Sequence, residues 1–173
     1  MADRISIGDQ APDFDLTSTE GSLLMLRDEV PRTAVVLYVF SDPASERVRR
    51  DLQALGRHKE ALRKVHAKVL GLSRADLASL QKVQAELKLP FPLLHDDRDF
   101  SSRYGVAAPQ EGQEAAPALY VVNRQQNVLW LSNPVAAVEQ AMPEVLKSLK
   151  DQGSPTGNYP RAVINRLVDR WVN

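Results

Sequence analysis

Residues 33–40 form a nearly unbroken apolar run, rich in β-branched and aromatic side chains, that stops at Ser41, Asp42 and Pro43. Apolar on both faces, such a run predicts a buried central strand, followed here by a tight turn and a helix N-terminus. From that turn onward Val48, Leu52, Leu55, Leu62 and Val65 keep the three-and-four spacing of one buried helical face, and Gly56 marks a point of bending or division. Residues 68–73 predict a second short strand. Leu77, Leu80, Val83 and Leu87 predict a second amphipathic helix over residues 75–87. A β-α-β-α alternation implies parallel neighbours joined by right-handed crossovers.

The flanking segments complete the pattern. Phe14 and Leu16 alternate with polar residues, Gly21 offers a reversal, and residues 22–26 then form the second arm of an N-terminal hairpin; residues 27–32 read as loop. Residues 90–95 are apolar with proline at the entry, as in a short edge strand. Residues 96–104 make a turn of helix ended by Gly105, and residues 107–116 a surface loop. Residues 118–122 and 128–131 predict a second hairpin. Val135, Val138, Met142, Val145, Leu146 and Leu149 keep a helical period across Pro143, so either one helix kinks there or a second begins with Pro143 in its first turn.

Residues 1–150 thus read as one α/β domain, a central mixed sheet flanked by helices, with residues 151–158 as a linker. Residues 159–173 read as a C-terminal amphipathic helix whose face of Ile164, Leu167, Val168 and Trp171 needs a docking surface, in a homodimer, on another protein or on the chain's own core.

Composition narrows the function. The 173 residues carry 22 Lys and Arg against 22 Asp and Glu, so no net field draws the chain to nucleic acid or to an anionic membrane. The basic side chains Arg47, Arg49, Arg50, Arg57, Lys59, Arg63 and Lys64 read as a solvated helix face interrupted by Asp51 and Glu60. His58, His66 and His95 have no partners at metal-ligand spacing, and neither a metal nor a cofactor is expected. With an early acid at Asp3 and no apolar stretch long enough for a signal or a membrane span, the expected location is the cytoplasm. There is no cysteine anywhere.

That last fact matters because of a resemblance. Residues 8–16, the strand at 34–40, residues 70–73, 89–94, 103–106 and 116–122 resemble, in this order, the peroxiredoxins and thiol-disulfide redoxins grouped as AhpC/TSA proteins. The resemblance implies a thioredoxin-like fold over about residues 5–150 and, in the family, antioxidant peroxide and disulfide chemistry at a cysteine on the turn after the central strand. Aligned through residues 52–55, the family's first cysteine falls on Ser45 and the second on Val48; its threonine position becomes Asp42 and its proline position Tyr38. Pro117 matches the cis-proline that faces the reactive turn in thioredoxin-like proteins, where peroxiredoxins usually carry an arginine.

A hydroxyl has no counterpart to the thiol oxidation ladder, so Ser45 cannot reduce peroxide or exchange disulfides. Ser45, or Asp42 with Pro43 behind it, suits a helix N-cap, and Val48 suits the buried helix face. The expectation is a redoxin-fold protein without thiol catalysis, acting in binding or as a scaffold. Two alternatives are a hydrolase using Ser45 with a histidine base, and an active redoxin whose cysteines have been replaced by serine.

Overall fold

The computed structural model describes residues 5–106 and 116–152. Strands β1 (Asp15–Thr17) and β2 (Leu23–Met25) form the expected hairpin, with Leu16 opposite Leu24. A single helical turn, α1 (Leu26–Glu29), stands where residues 27–32 read as loop; Leu26 is fully buried, and four residues are too few to show a period. Then follow β3 (Ala34–Phe40), α2 (Glu46–Arg57), α3 (Lys59–Lys64), β4 (Ala67–Ser73), α4 (Leu77–Leu87), β5 (Leu93–His95) and α5 (Phe100–Arg103). Strands β6 (Ala118–Val122) and β7 (Val128–Ser132) and helix α6 (Val138–Gln152) complete the order.

Five strands make one mixed sheet in the order β5-β4-β3-β6-β7, with β3, β4 and β5 parallel and β6 and β7 antiparallel to their neighbours. All seven residues of β3 are buried because the sheet is covered on both sides. Val36, Tyr38 and Phe40 face the core formed with α2, α4 and α6, whereas Val35, Leu37 and Val39 face Phe14, Leu26, Tyr104 and Tyr120. Period-two alternation along one strand therefore serves two separate cores. This is the thioredoxin-like architecture the resemblance implies.

The long helical pattern after β3 does divide, with the break at His58, two residues beyond Gly56. Gly56 serves close approach instead: a Cβ there would sit 3.3 Å from Pro90 Cδ. At Gly71 in β4 a Cβ would run into Leu93 Cδ2 of the adjoining strand, so any larger residue would require the buried Leu93 side chain to shift. Across Pro143 the outcome is one helix: α6 continues from Val138 to Gln152 with the proline inside it. The linker and tail helix expected beyond it, with Ile164, Leu167, Val168 and Trp171, lie outside the described residues.

Candidate functional site

The turn after β3 is held by hydrogen bonds between side chains and backbone. The Ser41 carbonyl accepts from Ser73 Oγ at 3.2 Å, which ties the end of β3 to the end of β4. Asp42 Oδ1 accepts from the Ala44 amide at 2.9 Å, an Asx turn that spends the carboxylate on reversing the chain. Ser45, extended at φ −61° and ψ 130°, is the N-cap of α2, its Oγ accepting from the Val48 amide at 3.4 Å. The cap is therefore Ser45 and not Asp42. Val48, at the second cysteine position, is 2% exposed and belongs to the core beneath α2.

Tyr38 and Asp51 carry a relationship that the sequence pattern did not bring out. The Tyr38 hydroxyl donates to Asp51 Oδ2 at 2.7 Å, and Asp51 Oδ1 accepts from the Val138 amide at 3.1 Å. Asp51 is 3% exposed, which corrects its assignment to a solvated basic face. Two signals pointed to it: Asp51 falls three residues after Val48 and four before Leu55, on the apolar side of the helix, and a tyrosine in a fully buried strand needs a partner for its hydroxyl.

Arg47 also departs from the solvated face. Its guanidinium donates to the carbonyls of Val135 and, at 3.2 Å, Ala136, while the Val135 amide donates to the Pro117 carbonyl at 2.9 Å. Buried Pro117 is thereby linked through Val135 to the first turn of α2. Arg47 thus fastens the 135–136 segment to the start of α2. The cis peptide bond found among the described residues joins Asn133 to Pro134, seventeen positions beyond the one the resemblance implies at Pro117.

The histidines are engaged elsewhere. His58 Nε2 lies 3.1 Å from Glu139 Oε2, and this contact, with Arg57 beside it, holds the Glu139 carboxyl below its ordinary range. His95 Nδ1 lies 2.8 Å from the Ala75 carbonyl. None of the three histidines is hydrogen-bonded to Ser45, and no group of three or more metal-ligating side chains is found among the described residues. The base that a serine nucleophile requires is not in place.

On the opposite side of the sheet, Tyr104 and Tyr120 meet edge to face with ring centroids 5.2 Å apart. The Tyr104 hydroxyl donates to the Pro12 carbonyl at 2.5 Å and the Tyr120 hydroxyl to the Tyr104 carbonyl. Burial pushes the Tyr120 phenol up to about 12, against the opposing pull of the Asn133 side-chain hydrogen bond. Both tyrosines bind loops to the sheet as neutral phenols.

Comparison with known proteins agrees with this geometry. The profile of the AhpC/TSA family matches residues 7–131, well over half of the chain. The chain belongs to the AhpC/TSA family. Rice (Oryza sativa subsp. japonica) chloroplastic peroxiredoxin Q is 28% identical over 148 residues, 85% of this chain and 68% of that protein. Peroxidoxin BcpB of Mycobacterium tuberculosis superposes with a TM-score of 0.79 at 18% identity, covering 87% of this chain and 100% of that one. A cysteine-to-serine mutant of Xylella fastidiosa PrxQ superposes with a TM-score of 0.77 at 19% identity, covering 88% and 99% of the two chains. These superpositions establish the peroxiredoxin fold around a turn that holds no thiol in this family member.

Proposed function

We propose that this AhpC/TSA-family protein carries out no thiol-based redox catalysis and works as a binding or scaffold protein. The observation that carries this reading is the use of Ser45: the residue at the family's reactive position spends its side chain on capping α2, in a chain without cysteine. The other positions have structural duties too. Val48 fills the core, Asp42 closes the turn, Tyr38 holds Asp51, and Pro117 anchors the loop that Arg47 straps to α2. Replacement of cysteines by serine alone would leave Val48, Asp42 and Tyr38 unexplained. Among the described residues no helix is long and apolar enough to cross a membrane, and a cytoplasmic location remains part of the proposal.

The test is incubation of the purified chain with hydrogen peroxide or an alkyl hydroperoxide, supplied with a thioredoxin system or dithiothreitol. The expected result is peroxide consumption equal to that of a heat-denatured control. Turnover above that control would overturn the reading.

A further inference from the structure

Strand β4 is longer than its outer neighbour. It pairs with β3 over all seven residues, whereas β5 reaches only Gly71, Leu72 and Ser73. The ladder fixes where the remaining backbone groups point. The His66 carbonyl accepts from the Ala34 amide at 2.9 Å, so even-numbered residues of this segment turn toward β3. The Gly71 amide donates to the Pro92 carbonyl at 3.2 Å and the Ser73 carbonyl accepts from Asp96 at 2.7 Å, so odd-numbered residues turn toward β5. By the same alternation Ala67 and Val69 direct their amides and carbonyls to the side that β5 does not cover. Those four groups make no hydrogen bond to any described residue.

Ala67 and Val69, only 6% and 3% exposed, line a groove of about 300 Å³ together with Pro90, Phe91 and Pro92 and the cations Lys59 and Arg63. The outer edge of β5 is closed in a way this stretch is not: Thr19 exchanges hydrogen bonds with Leu93 at 2.8 and 3.1 Å, and Ser18 bridges to Leu94. Unpaired strand edges are templates for a further strand, and proteins that do not use them usually cover them.

We infer that residues 67–69 accept an extended acidic peptide segment of a partner protein as an added strand, paired to Ala67 and Val69 with an acidic side chain beside Lys59 and Arg63. Charge selects this occupant. Lys59 has no ion-pair partner among the described residues, and Arg63 bonds only to Glu60 in its own helix. The third cation of the lining, Lys68, is held by Glu29 at 2.5 Å, and the one acid is Glu20. The chain's own C-terminal segment has the wrong sign, with Arg161, Arg166 and Arg170 against Asp169. Main-chain pairing would supply affinity and the side-chain contacts specificity.

The proposal is tested on the full ¹⁵N-labelled chain by titration with a blocked hexapeptide of alternating Glu and Val. Amide shifts are expected at Lys59, Arg63, Ala67, Val69 and Phe91. A Lys-for-Glu peptide is expected to bind at least tenfold more weakly, as is one of the two peptides N-methylated on alternate amides. The double variant Lys59→Glu with Arg63→Glu, both exposed positions, reverses the preference between the acidic and basic peptides. Shifts that are absent at millimolar peptide, that fall elsewhere, or that survive both patterns of N-methylation would overturn the proposal. So would binding seen only after removal of residues 153–173, which would make the tail the occupant.

Discussion

The hydroxyl of Tyr38 donates to the carboxylate of Asp51 at 2.7 Å inside the core, thirteen residues along the chain. Through its other oxygen the same carboxylate receives the first amide of α6 at 3.1 Å, so one buried side chain joins β3, α2 and α6. Burying a carboxylate is costly unless its oxygens are met by donors, and a helix N-terminus adds a favourable dipole. In this AhpC/TSA-family chain the residue at the signature's proline position, Tyr38, thus takes part in a structural fastening.

Removing the phenol hydroxyl with Tyr38→Phe leaves one Asp51 oxygen without this donor in the core. The expected loss is about 1.5–3 kcal/mol of unfolding free energy, the range for a hydrogen bond to a charged group. Urea denaturation of the wild type, Tyr38→Phe, Asp51→Asn and the double variant measures it. Additive losses would show that the two side chains are not coupled.

Ser45→Ala removes the cap of α2 and is expected to cost about 1 kcal/mol or somewhat less, because the bond to the Val48 amide is long. Ser45→Asp restores a cap acceptor and should recover most of that loss. Peroxide consumption stays at the background level in all three proteins. A serine whose removal leaves the urea midpoint unchanged would not be acting as a cap.

The Glu139 carboxyl is held low first by its hydrogen bond to His58 and then by Arg57. Because its folded value lies below the unfolded one, its contribution is present above the ordinary glutamate range and is lost as pH falls through the depressed folded value. Carboxyl ¹³C NMR titration should place Glu139 below the other exposed glutamates, and His58→Gln should move it upward. An unchanged titration in His58→Gln would show that the contact does not form.

Tyr120 gives the opposite slope at high pH. Its folded value is pushed up to about 12 from an ordinary 10.0, so above pH 10 the unfolded chain releases a proton that the native chain keeps. Stability is full below pH 10 and declines as pH rises from 10 toward 12. Phenolate absorbance followed alongside urea denaturation checks this, and Tyr120→Phe should flatten the decline. A decline of equal slope in Tyr120→Phe would assign it to other groups.

Periodicity alone located the central strand, both hairpins and the helix at residues 75–87; composition showed that there is no thiol, and the family resemblance placed the reactive turn where one would stand. These are local properties: a strand buried on two faces must be apolar throughout, and a missing cysteine needs no geometry to be noticed. Ser45 as a cap was legible for the same reason, since capping involves an amide three residues away. What depended on the tertiary structure is the fate of polar groups with distant partners. Asp51 and Arg47 look like two more charges on a basic helix, and only packing of α6 and the 133–136 loop against α2 brings the Val138 amide and the Val135 carbonyl to them. The unpaired stretch of β4 is likewise invisible in its own residues, because it arises from the three-residue length of a neighbour that pairs with β4 only at its upper end. Sequence spacing determines which groups lie on one face of an element; the partner on the far side of the interface is chosen by how the elements stack.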